Sequence, residues 1–262
     1  MLPAFYTDEG SGLPLLLIHA FPLNATLWQP QRRDLSRLFR VISFTLPGFG
    51  RGGDFIPGMS MDDCADMAVA LLDELDVDSA VFGGCSMGGY ISLAAYRRHS
   101  QRIRGLILSN TRAGADTPEA AANRLVQAEA IRNGGLEEFL AGMREKLVGK
   151  STKDTAPMVL KLVDEMMHSA SVEGTAGMLE AMGRRADSTP LLEQADIPIC
   201  IIAGQEDTMI PPAEAERMHA SQAAAELHIL PGSGHLSCLE RTVVFNSVVE
   251  KFLESGFSSE RA

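Results

Sequence analysis

Gly84, Cys85, Ser86, Met87 and Gly88 fit the pattern G-x-S-x-G, in which a serine hydroxyl is lifted out of a sharp turn between a strand and a helix. A serine held at unfavourable φ/ψ needs its flanking backbone to pass close by, and residues without a Cβ give that room. The serine then stands at the amino end of a helix, where unpaired N–H groups favour the negative charge that develops in acyl transfer. The backbone N–H of Met87 is therefore a candidate oxyanion donor. Alone, the pentapeptide also fits an ordinary glycine-rich turn. Its context favours the chemical reading: Ala80, Val81 and Phe82 supply a strand before it, and Tyr90, Ile91, Leu93, Ala94 and Tyr96 an apolar helix face after it.

Around that turn the chain alternates. Continuous apolar runs at Leu15 to Ile18, Val41 to Leu46 and Ile103 to Leu108 read as strands buried on both faces of a parallel sheet. Between them lie a helix containing Trp28, Leu35 and Leu38, and another over Met61 to Leu75 with Cys64, Ala65, Ala68, Leu71, Leu72 and Leu75 on one face. The alternation predicts an α/β fold, a mostly parallel sheet flanked by helices. From Arg112 to Arg185 no strand is expected. Alanine-, leucine- and methionine-rich segments, broken at Gly134-Gly135, Gly149 to Thr152 and Gly174, read as three or four short inserted helices. Met143, Met158, Met166, Met167, Met178 and Met182 lie here, either lining an adaptable apolar pocket or serving as ordinary packing.

Alternation resumes with a strand over Ile197 to Ala203, a helix over Ala213 to Ala220, a strand over Glu226 to Leu230 and a final helix through Val244, Phe245, Val248, Val249, Phe252 and Leu253. Glu254 to Ala262 is expected to fray. Residues 1–111 and 187–262 thus form a core, and 112–186 a helical cap.

A chain of 262 residues that is 45% hydrophobic can bury a full core. Its formal charge of −11, without any long Lys/Arg run, argues against a nucleic-acid partner. The apolar run before His19 is too short for a membrane span, and early Asp8 and Glu9 do not fit a secretory leader, so the expected location is the cytoplasm. Cys64, Cys85, Cys200 and Cys238 show no zinc spacing and are expected to be buried free thiols.

In open parallel sheets functional groups gather at the carboxyl ends of strands. Four such ends carry Phe21, Ser86, Asp207 and His235, and the chain order Ser, Asp, His is that of one arrangement of the serine triad. HAFPL (19–23), LPGFG (46–50), GCSMGG (84–89), PICIIAGQEDTMIPP (198–212) and GSGHLSCLE (232–240) together give a resemblance to the α/β-hydrolase superfamily, nearest to its small esterase, 3-oxoadipate enol-lactonase and cofactor-free haloperoxidase group. The resemblance implies the α/β-hydrolase fold with a helical cap. It makes Ser86 the nucleophile, His235 the general base and Asp207, in preference to neighbouring Glu206, the carboxylate that orients it. By similarity the N–H of Phe21 is the second oxyanion donor, and His19 supports that loop. His99, His168, His219 and His228 are expected at the surface or satisfied in the core.

The matching roles are chemically coherent: imidazole titrates in the range needed to activate a serine, and a carboxylate fixes its tautomer. Departures include Ala20, where relatives carry glycine, and Thr45 and Arg51, where many carry aspartate and serine. The expectation is a carboxylic ester hydrolase acting on a small-molecule ester or lactone through an acyl-enzyme, with no metal or organic cofactor and no nucleic-acid or membrane partner. A C–C bond hydrolase, a perhydrolase, or a slow-turnover ligand sensor of the same fold are the alternatives.

Overall fold

A computed structural model describes residues 1–257 of the chain. Strands β1 (Phe5–Glu9), β2 (Pro14–Ile18), β3 (Arg40–Thr45), β4 (Ala80–Cys85), β5 (Ile103–Ser109), β6 (Ile199–Gly204) and β7 (Glu226–Leu230) form one sheet. Its order is β1-β3-β2-β4-β5-β6-β7, and β1 is the antiparallel edge strand of an otherwise parallel sheet. β4 therefore lies at the middle, with both neighbours parallel to it.

Successive strand residues face opposite sides of a sheet, so uninterrupted apolar runs build two cores. Leu16 and Ile18 pack on one side with Cys64, Ala65 and Leu72 of α2 (Met61–Glu74) and Ile91 of α3 (Met87–Arg98). On the other side Leu15 and Leu17 join Trp28, Leu35 of α1 (Gln29–Leu35), and Phe245 and Val249 of the C-terminal helix. Leu38 is a correction: it follows α1 and is largely exposed. α2 begins where the Ser60 side chain accepts the Asp63 N–H and the Asp63 carboxylate accepts the Ser60 N–H, a reciprocal cap that satisfies two otherwise unpaired donors.

Residues 112–186, between β5 and β6, hold five α-helices, more than the three or four expected: α4 (Pro118–Ala130), α5 (Leu136–Leu147), α6 (Lys150–Thr155), α7 (Pro157–Met167) and α8 (Val172–Gly183). The extra break comes at Ala156, left non-helical before Pro157, as the ring of a following proline demands. Gly134-Gly135 makes a kink of one wide turn rather than a loop. Gly174 breaks nothing; it lies inside α8, where a Cβ would stand 2.5 Å from the Gly48 carbonyl oxygen. The missing side chain lets the insertion close on the core: Ser171 N–H donates to Gly48 O and Gly50 N–H to Ser169 O.

After α9 (Thr189–Glu193), β6, α10 (Pro212–Ser221) and β7, the short α11 (Ser237–Glu240) leads into α12 (Thr242–Gly256). Glu254 to Gly256 are thus helical rather than frayed, while 258–262 lie outside the described residues. All four cysteines are buried free thiols. Among the described residues no helix is long and apolar enough to cross a membrane.

Candidate active site

The turn after β4 has the strain its sequence predicts. Ser86 sits at φ 54° and ψ −112°, its N–H donating to Ser109 O at 2.9 Å and its carbonyl accepting the Gly89 N–H and the Thr111 hydroxyl. A Cβ on Gly84 would lie 2.1 Å from the Gly88 carbonyl, and one on Gly88 2.1 Å from Ile18 O. Both contacts are backbone, so both glycines are required for β4, β2 and α3 to meet.

His235 follows β7 and is wholly buried. Its Nδ1 lies 2.8 Å from Asp207 Oδ2. Asp207 follows β6, and every bond it accepts orients it: Oδ1 takes the Met209 and Ile210 N–H groups, and Oδ2 also takes the Asn110 amide at 3.0 Å. Burial alone would push the Asp207 carboxyl up, but the His235 charge and hydrogen bond outweigh it and hold the group below the usual carboxylate range. The same pairing works the other way on the ring: burial pulls the His235 pKa down, Asp207 outweighs it, and the net displacement is upward. Glu206, the competing carboxylate, turns away and accepts from the Ser151 N–H and hydroxyl.

The segments that carry Ser86 and His235 touch through Cys85, whose Sγ is 3.6 Å from the His235 carbonyl oxygen. Ser86 Oγ and His235 Nε2 are not hydrogen-bonded to each other, and Nε2 is buried with no partner among the described residues. Such bonds are often long without substrate and tighten in the reacting complex.

The loop after β2 carries the other expected residues. His19 is buried, and burial drives its pKa down to about 4, against a small upward push from the Ala20 carbonyl. The ring is therefore neutral: Nε2 accepts the Leu46 N–H at 3.1 Å, which leaves the proton on Nδ1 to donate to Ala20 O at 3.0 Å. His19 thus ties the end of β3 to the loop bearing Phe21. Ala20 lies outside the left-handed region, so its Cβ is tolerated at the position where the resemblance implies glycine. Thr45 has its own task, accepting the Ala25 N–H, and Arg51 stacks on Phe5. Phe21 packs edge-on against Phe49 and Phe139.

Ser86, Phe21 and Tyr90 open onto a cavity of about 640 Å³ whose remaining walls include Arg112, Arg124, Phe139, Met143 and Met182 of the insertion, and Met209. Of the six insertion methionines only Met143 and Met182 line it; Met166, Met167 and Met178 are core, and Met158 is exposed.

Three residues in the site went unsingled in the sequence. Asn110, at φ 49°, uses its amide on Asp207 and on Gly234 O, a conformation asparagine tolerates better than most. Thr111 holds Ser86 O. Glu240 accepts the N–H groups of Gly149, Gly234 and Leu236. Its signal was an acidic residue inside the apolar stretch after His235. His99, His168, His219 and His228 bond to Asp66, Asp164 O, Ala225 O and Glu226, away from the cavity. The one metal-ligand cluster among the described residues, Cys200, Glu226 and His228, lies near the start of β7, at the opposite end of the strands from His235.

A family model described as alpha/beta hydrolase fold matches residues 14–242. A thermophilic esterase from Thermogutta terrifontis superposes with a TM-score of 0.93 at 36% identity, covering 96% of this chain and 93% of that one. The enol-lactonase from Burkholderia xenovorans LB400 gives 0.87 at 26% identity, with 95% of each chain covered. The 2-hydroxymuconate semialdehyde hydrolase of Pseudomonas sp. strain CF600 is 30% identical over 94% of this chain and 88% of its own.

Proposed function

The chain belongs to the alpha/beta hydrolase fold family, and from that membership we propose that it is a serine hydrolase cleaving a small carboxylic ester or lactone through an acyl-enzyme. The observation that carries the reading is Ser86 itself, strained at φ 54° and lining the cavity, with the buried His235–Asp207 pair after β7 and β6 at the same end of the parallel strands.

In this reading Ser86 Oγ adds to the carbonyl while His235 Nε2 takes its proton. Asp207 keeps the Nδ1 proton in place and stabilises the imidazolium, so the ring stays aimed through both transfers. The N–H groups of Phe21 and Met87 receive the oxyanion; losing one such donor costs on the order of two to three powers of ten in rate. His19 enters here through the loop it anchors, since a neutral ring bonded on both nitrogens fixes where the Phe21 N–H points. His235 then protonates the leaving alcohol and activates the water that releases the acid. Residues 112–186 act as a cap that walls the acyl pocket.

The kinship to enzymes titled esterase and enol-lactonase supports this reaction class. The 30% identical relative titled 2-hydroxymuconate semialdehyde hydrolase favours a second reading, C–C bond hydrolysis at the same site. Turnover of a short-chain p-nitrophenyl ester by the native protein and by Ser86→Ala tests the proposal: the native protein releases p-nitrophenolate and the variant, still folded by circular dichroism, does not. Equal release from both would remove Ser86 from the mechanism.

A further inference from the structure

The cavity wall beside Ser86 holds an excess of positive charge that packing does not require. Asp116, its side chain fully buried, accepts hydrogen bonds from three guanidinium groups: Arg112 Nη2 at 2.5 Å, Arg124 Nε at 2.5 Å and Arg185 Nη1 at 2.8 Å. One carboxylate balances one of the three. A guanidinium cannot shed its proton, so even with the Glu214 carboxylate, which also acts on Arg112 and is bonded to Arg217, the cluster keeps a net positive charge in a partly desolvated place, a costly arrangement unless an anion completes it.

The three arginines are not equivalent. Arg185 is committed to structure: it is almost wholly buried, lies 4.1 Å from the Tyr90 ring centroid and donates to Met182 O and Gly114 O as well as to Asp116. Arg112 and Arg124 line the cavity. Arg112 makes a single bond, to Asp116, and its buried Nε has no acceptor. It is also close to the reacting serine, because it follows Thr111, whose hydroxyl bonds to Ser86 O at 2.8 Å. Glu138 and Lys146 at the exposed rim cancel each other, so the surplus belongs to the arginines. On a chain of net charge −11, a cationic pocket concentrates anions against the field of the whole molecule.

Resting on the serine-hydrolase reading above, we propose that Arg112 and Arg124 are specificity-determining residues that receive a carboxylate carried by the substrate, which is an ester or lactone of a dicarboxylic acid with its second acid group free. Guanidinium matches carboxylate in geometry and charge, and Arg112 has donors to spare for it. The ester carbonyl meets Ser86 while the free carboxylate turns toward the β5–α4 segment.

The test compares 4-nitrophenyl hydrogen glutarate with its methyl ester, the same acyl chain with the charge removed, in the native protein, Arg112→Gln, Arg112→Lys and Arg124→Gln. The native protein is expected to favour the free acid in kcat/KM by at least about tenfold, as a charge-assisted pair implies. That ratio should shrink in 0.5 M NaCl, fall about tenfold or more in each glutamine variant, and be partly kept by Arg112→Lys. Should Arg112→Gln not fold, Arg124→Gln gives the same reading. A native ratio of one or less, or a ratio unmoved in the folded variants, overturns the carboxylate site while leaving the serine hydrolase intact. If neither ester is cleaved, the ester reading fails, and calorimetry with glutarate still decides the site. Binding to the native protein that is lost in the arginine variants upholds it; no binding overturns it.

Discussion

The Glu240 carboxylate accepts the backbone N–H of Gly149 at 2.8 Å, joining the helical insertion to the segment that carries the candidate base. The same group takes the N–H of Gly234 and of Leu236 at 3.0 Å, one on each side of His235. Three donors converge on one buried acceptor, so Glu240→Gln places an amide N–H against backbone N–H groups. Each unsatisfied group costs about 1–3 kcal/mol. The variant is expected to melt lower by roughly 3–10 °C. Its kcat should fall about tenfold with little change in KM, because the loosened element holds the base rather than the substrate. A melting curve and a Michaelis plot measure both; an unchanged kcat would confine Glu240 to stability.

Asp207 sets the pH at which His235 can act. The base must be neutral, and its pKa is raised by Asp207 against the pull of burial, so the acid limb of kcat/KM belongs above the ordinary histidine value of about 6.5. In Asp207→Asn the raising charge is gone and burial remains. The limb should move to lower pH while the rate drops by roughly three to four powers of ten. A limb that stays in place would mean that another group holds the ring.

His19 makes a separate, opposite contribution to stability. Its folded pKa of about 4 lies below the unfolded value of about 6.5, so the unfolded chain binds the extra proton between these values, and stability is lost as pH falls. The loss amounts to about 2 kcal/mol by pH 5 and nears 3 kcal/mol at pH 4, at roughly 1.4 kcal/mol per unit. His235, with a raised pKa, has the reverse sign, and it is common to the native protein and His19→Gln. Urea midpoints at pH 7 and pH 5 should therefore diverge less in His19→Gln than in the native protein; equal divergence would contradict the assignment.

The elbow tolerates no added carbon. Gly84→Ala or Gly88→Ala places a methyl 2.1 Å from backbone that belongs to the elbow itself or to β2, where no side-chain movement can relieve it. Either variant should lose several kcal/mol or fail to fold, whereas Gly142→Ala, which lies inside α5 and meets open space, should equal or exceed the native protein in chemical denaturation, by up to about 1 kcal/mol.

The five inner strands, β2 to β6, were legible in the sequence because each is an apolar run buried on both faces, and such runs leave little choice of neighbour. Ser86, Asp207 and His235 were legible because strand ends in a parallel sheet face one way. The insertion was less so: Gly174 has the look of a helix breaker, yet its role is the close approach of Gly48, a contact 126 positions away. Asn110 and Glu240 went unmarked for a like reason, since their worth lies in partners that only the folded chain brings near.

In the proposed mechanism Ser86 is the group that becomes acylated, and a fluorophosphonate probe followed by peptide mass spectrometry tests this directly. The expected result is one adduct per chain, on the peptide containing Ser86, formed at least about a hundredfold more slowly in His235→Ala, as removal of a general base implies. An unlabelled Ser86 in protein that still cleaves esters, or an adduct on a different serine, would contradict it.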